Sequence, residues 1–187
     1  KGVPASLLMA IGQTTLRHLA KGGESPAKAL MLLNRELNER MREDMFITAI
    51  YGIIDLKKNT FTFARAGHEL PLIIRSGKGK AKPLAEYLES EGLALGMVPD
   101  ELFDEVIADC VTPFNHGDSI VLFTDGVTEA ADAADEQFST ARLASFAQKS
   151  SRKSPKQFND ALFKELRNFA GDAMRADDVT LITARRK

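Results

Sequence analysis

The chain has little cysteine, little histidine and no long apolar run, and each scarcity removes a class of explanation. One cysteine, Cys110, in 187 residues excludes an internal disulfide and reads most simply as a small buried hydrophobe on a strand. No apolar stretch approaches the roughly 18 residues that a bilayer-spanning helix needs. No signal-peptide pattern opens the chain either, so the expected setting is cytoplasmic, with no membrane contact by this domain. Charge of one sign is also missing. With 25 Lys+Arg against 26 Asp+Glu the net charge is −1, so no global basic field points to nucleic acid. Internal repeats, heptads and low-complexity tracts are absent. What is present, 44% hydrophobic content, fits one domain over residues 1–187 with a substantial core.

Two helices open the chain. Leu7, Leu8, Ile11, Thr15 and Leu19 fall at helical spacing after Pro4, which suits a first turn. Gly22-Gly23 stops this helix, Ser25-Pro26 offers an N-cap and first helical position, and Leu30, Leu33, Leu37 and Met41 draw a second stripe. From Phe46 the period changes. Phe46 to Ile54 is rich in β-branched and aromatic residues, Thr60 to Ala64 alternates, and Asp55 to Asn59 reads as the hairpin loop between them. Leu72-Ile73-Ile74 is expected as a third strand of the same meander, Ser76 to Lys82 as a solvated turn, and Leu102 to Val111 as a further strand. Residues 129–154 carry weak helical signals and read as a flap or insertion. Ser154-Pro155 then caps a clear helix with Phe158, Leu162, Leu166 and Phe169 on one stripe, ending near Gly171. The fold class expected is α+β, helices against antiparallel sheet.

Two acidic signals stand out against this background. Ile120 to Phe123 is a short apolar run that ends at Thr124-Asp125-Gly126-Val127-Thr128-Glu129, and Asp177-Asp178 precedes a second such run, Val179 to Ile182. Both runs read as buried strands bounded by turn chemistry. Glycine after Asp125 permits a sharp turn that leaves the carboxylate at a sheet edge, so Asp125 and Asp177 can converge on one cleft. Oxygen ligands suit Mg²⁺ or Mn²⁺ better than zinc, which prefers His and Cys. The plainer reading makes Asp-Gly a turn and Asp-Asp a solvated strand start.

The ordered set Lys1-Gly2-Val3-Pro4-Ala5, Ala66-Gly67-His68, Phe123 to Glu129 and Asp177-Asp178-Val179-Thr180 resembles the SpoIIE-like branch of the PPM family of metal-dependent protein serine/threonine phosphatases. Each motif alone is weak; four in the family's order span the chain. The resemblance implies a PPM-type α/β sandwich of antiparallel sheets flanked by helices. It implies two Mn²⁺ or Mg²⁺ ions per intact site, with Asp125 and Asp177 as metal ligands and Gly126, Asp178 and His68 in the surrounding shell. The implied partner is a phosphoprotein, such as an anti-sigma-factor antagonist dephosphorylated at serine or threonine, and the implied setting is bacterial, with a sensor domain upstream in the parent chain.

Two departures qualify the resemblance. The family's first metal-binding aspartates lie upstream of the Gly-Lys-Gly or Gly-His-Gly stretch, and this chain opens inside it, at Lys1-Gly2. The expectation is an N-terminally truncated domain lacking its first strands, weak in metal binding and inactive by itself, with an open sheet edge that invites a homodimer. Glu69-Leu70 stand where the family often has Asn and Pro, which bears on substrate preference. His68 has two readings, a phosphate-orienting group or general acid and a structural histidine tied to backbone. His18 and His116 are expected at the surface, and Glu129 either reaches the cleft or suits a helix N-terminus. A haloacid-dehalogenase-type phosphatase needs an aspartate nucleophile two residues before Asp125, where Phe123 stands. A degenerate phosphatase domain acting as a binding or scaffold module is the alternative from another class.

Overall fold

The computed structural model describes residues 3–41, 45–77, 82–171 and 178–187. Lys1, Gly2, Lys78, Lys80 and Asp177 lie outside the described residues, and with them part of the first and last motifs. The elements are mixed helices and antiparallel strands, as expected, arranged in two compact units: Lys1–His68 with Ser90–Pro113, and Glu69–Glu89 with Phe114–Lys187.

The first unit opens with α1 (Val3–Lys21) and α2 (Pro26–Asn38). Ser25 caps α2, its hydroxyl accepting from Lys28 N–H at 3.4 Å, with Pro26 at the first helical position. Strands β1 (Ala49–Asp55) and β2 (Thr60–Ala66) form the expected hairpin, and β5 (Cys110–Pro113) joins the free side of β2, giving the order β1-β2-β5. At the hairpin turn Asp55 Oδ1 accepts from Lys57 and Lys58 N–H groups at 2.8 and 2.9 Å, and Asn59 takes φ 59°. The core of this unit gathers Leu30, Leu33 and Leu37 of α2 with Ala64 and Ala66 of β2, Leu95, Phe103 and Ile107.

The second unit carries a four-stranded sheet in the order β4-β3-β6-β7, formed by β3 (Leu72–Arg75), β4 (Leu84–Tyr87), β6 (Ser119–Phe123) and β7 (Leu181–Arg185). Helices α4 (Ser139–Lys149) and α5 (Pro155–Ala170) cover it, and Leu143, Ala147, Phe158, Leu162 and Leu166 meet Leu72, Ile74, Val121 and Phe123 in its core.

Several expectations are corrected. Leu102 to Val111 is not one strand: it begins as helix α3 (Asp100–Val106) and becomes strand only at Cys110. Asp100 and Glu101 sit in the first turn, where acidic groups favour the positive end of a helix. Phe103 and Ile107, four apart, both enter the core. β3 does not extend the β1–β2 meander, because the far edge of β2 is taken by β5 and β3 pairs with β4 and β6. Gly67 turns the chain at φ 64°, and a side chain there would meet Ala94 N at 2.9 Å. Within 129–154, the supposed flap contains α4, held by burial of Leu143 and Ala147 on one face. Strand β4 carries too little apolar patterning to be read from sequence. Cys110 does lie on a strand but is only partly buried. Among the described residues no helix is long and apolar enough to cross a membrane.

Candidate metal centre

Within the second unit, the site grows out of the end of β6. The β6–β7 ladder runs antiparallel as far as the pair Phe123↔Leu181. Beyond it Thr124 N–H still donates to Thr180 C=O at 3.1 Å, and then β6 leaves the sheet in a single 3₁₀ turn, Asp125–Val127. Val127 N–H closes that turn on Thr124 C=O at 3.0 Å. Asp125 C=O accepts from Glu129 N–H at 2.8 Å and from Thr128 Oγ1 at 3.2 Å. The Asp-Gly signal is thus a turn, as its plainer reading held, and it also presents an exposed carboxylate at a sheet edge.

Asp125 is held in a defined pose. Its Oδ1 accepts from Gly126 N–H at 2.8 Å, while Oδ2 accepts from none of the described residues. Gly126 is buried, and a Cβ there would stand 3.1 Å from Asp178 C=O and 3.3 Å from Val179 Cγ2. Glycine here eases the close approach of two backbones rather than permitting an unusual φ.

The two acidic signals meet through backbone and a hydroxyl. Thr124 Oγ1 donates to Asp178 C=O at 2.9 Å and accepts from Thr180 N–H at 2.9 Å. Asp178 is exposed and lies directly against the Asp125 turn. Asp177, the other expected ligand, is outside the described residues. Among those residues no group of three or more His, Cys, Asp or Glu is gathered to hold a metal. The Asp125 carboxylate offers hard oxygen atoms of the kind Mg²⁺ and Mn²⁺ take. Glu129 is exposed, follows the 3₁₀ turn and opens no helix.

His68 belongs to the first unit. Its Nδ1 lies 3.2 Å from Thr48 Oγ1 and its C=O accepts from Arg65 Nη1 at 2.8 Å. Arg65 also grips Ser90 C=O through Nε and Nη2 at 3.2 and 2.6 Å. One ring nitrogen, Nδ1, thus faces a side-chain hydroxyl, while the structural one of the two readings had a ring nitrogen tied to backbone. His18 and His116 are exposed, as expected.

Sequence reasoning passed over Thr124, Arg65 and Ser90. The only signal for Thr124 was its place just before Asp-Gly; nothing in sequence pairs Arg65 with a residue 25 positions away. In the first unit the Cys110 thiol is pushed up by burial and by Asp109, with Arg65 opposing. In the second the Tyr87 phenol is pushed up by burial and then by Glu69, and it donates to Thr140 C=O at 2.8 Å.

Comparison with known proteins bears on family and fold. A family model described as Stage II sporulation protein E (SpoIIE) matches residues 1–187. The chain is 37% identical over 132 residues to the phosphoserine phosphatase RsbU of Bacillus subtilis, covering 69% of this chain and 36% of that protein. It is 30% identical over 149 residues to protein IcfG of Synechocystis, covering 76% of this chain and 21% of that protein. The chain therefore spans about a third or less of these curated relatives. Among solved structures, the SiaA PP2C domain of Pseudomonas aeruginosa superposes with a TM-score of 0.78 at 20% identity, over 100% of this chain and 71% of the other. A Mycobacterium tuberculosis structure of RsbU and RsbW domains gives 0.78 at 25% identity, over 99% and 49%. Such likeness at low identity carries the PP2C-type fold.

Proposed function

The chain belongs to the SpoIIE family of protein phosphatases, and from that premise we propose that it forms a metal-dependent phosphatase domain acting on phosphoserine or phosphothreonine in a partner protein. The observation that carries this reading is the exposed Asp125 carboxylate, held by Gly126 N–H in a turn whose Gly126 packs against the Asp178 backbone. We take the substrate to be a phosphorylated regulator such as an anti-sigma-factor antagonist, because the relative at 37% identity is named a phosphoserine phosphatase. We take the setting to be cytoplasmic and read residues 1–187 as a single domain.

Asp125 and Asp177 would hold Mn²⁺ or Mg²⁺, with Asp178 beside them. Phosphate monoesters hydrolyse extremely slowly in water, and a pair of such ions supplies an activated water and charge neutralisation at the phosphoryl oxygens. The protein's own part is positional. Gly126 N–H orients the Asp125 carboxylate, Thr124 holds the 178–180 segment against it, and the 3₁₀ turn sets both at the sheet edge. No serine, cysteine or aspartate nucleophile is needed for direct attack by water.

We take the 187 residues by themselves to bind metal weakly and turn over little. The alternative is a degenerate domain serving as a binding module. A phosphoserine peptide separates the two. With Mn²⁺ or Mg²⁺ present, the protein carrying this domain releases phosphate, and Asp125→Ala or Asp177→Ala abolishes release. Full turnover by either variant overturns the assignment, and phosphoprotein binding without turnover under any metal selects the binding module.

A further inference from the structure

We infer that Thr124 is the positioning residue that sets the second acidic segment in register with Asp125, an inference that rests on the metal-site reading above. The ladder between β6 and β7 ends at Phe123↔Leu181, because β6 turns away at Asp125. Residues 178–180 then keep one backbone partner of the next rung, Thr124 N–H, and lack the other. Thr124 supplies that one with its side chain. One hydroxyl donates to Asp178 C=O and accepts from Thr180 N–H, both at 2.9 Å, while the same residue's N–H donates to Thr180 C=O at 3.1 Å.

Only a group that donates and accepts at once can copy a ladder rung. Serine and threonine have this capacity on a stem short enough to lie along the strand; valine has the shape without the hydroxyl. The neighbouring contact leaves little slack, since a Cβ on Gly126 would come within 3.1 Å of the same Asp178 carbonyl. Thr124 and Gly126 thus form a seat for the segment bearing the second acidic signal. The threonine bridges positions 54 and 56 residues away. Its effect on the proposed chemistry is indirect, through the place it gives the backbone of residues 178–180.

The test uses the whole 187-residue chain with amide NMR, hydrogen exchange and Mn²⁺ titration on wild type, Thr124→Val, Thr124→Ser and Asp125→Asn. Wild type should show Gly126 and Thr180 amides broadening together as Mn²⁺ is added. Thr124→Val should expose the Thr180 amide to faster exchange and raise the Mn²⁺ midpoint ~10–100-fold, the usual loss when a ligand's supporting partner is removed. Thr124→Ser should behave as wild type. An unchanged midpoint or an unchanged Thr180 exchange rate in Thr124→Val overturns the inference. Should Thr124→Val fail to fold, a Thr124→Ser midpoint at least ~10-fold above wild type overturns it as well. Broadening that survives in Asp125→Asn strikes down the metal reading itself, and a wild type without any Mn²⁺ response removes both.

Discussion

Asn34 is fully buried on α2, a position where a polar side chain is costly unless its hydrogen bonds are made. Its Oδ1 accepts from Gly96 N–H at 2.9 Å and its Nδ2 donates to Asp100 Oδ1 at 2.7 Å, where Asn38 also donates at 2.8 Å. Asn34→Ala should strand the Gly96 amide and cost about 1–3 kcal/mol, read as a lower urea midpoint at unchanged slope. A loss under a few tenths would mean that water replaces the side chain. Sequence shows an asparagine inside an apolar stripe but not its purpose, because its partners lie 62 and 66 positions away. The same distance hides Thr124. By contrast Asp125 was legible, since an acid followed by glycine at the end of an apolar run is a local pattern.

At the scale of elements, legibility followed how local the stabilising contacts are. Helix α5 is announced by its own residues: Ser154 and Gln157 form a capping box, Ser154 Oγ accepting from Gln157 N–H at 3.3 Å and Gln157 Oε1 from Ser154 N–H at 3.0 Å. Ser154→Ala should therefore destabilise the protein by about 1 kcal/mol. Faster amide exchange in the first turn of α5, with its last turn unaffected, would identify the lost cap as the cause. Helix α3 lacks a side-chain cap bond and α4 has only a long one, Arg142 N–H to Ser139 Oγ at 3.5 Å; they are fastened mainly by burying Phe103 in one case and Leu143 with Ala147 in the other. Their helical state depends on what they pack against, so a local reading made the first a strand and the second a flap. β3 failed differently. Its apolar run names a strand, but which edge it joins is settled by the competition that β5 wins at β2.

Among the described residues two apolar clusters take the place of one, the first around Leu30, Leu37 and Phe103, the second around Leu72, Val121 and Leu162. Leu30→Ala and Leu162→Ala each remove a fully buried side chain and should each cost about 2–5 kcal/mol. Hydrogen exchange should speed up first at β2 amides for Leu30→Ala and first at β3 and β6 amides for Leu162→Ala. Equal acceleration throughout would show that the two clusters open as one. Sequence by itself determined the element types with strong periodicity, the hairpin from Asp55 to Asn59, the Asp125 turn and, through its ordered motifs, the family. Those features depend on residues a few positions apart, where period, caps and turn chemistry act. Tertiary structure alone decided which strands share a sheet, that residues 100–106 coil into a helix, and that Thr124 joins the two acidic segments. Each of these depends on groups dozens of residues apart, whose meeting is set by competition for sheet edges and core surface rather than by any local preference.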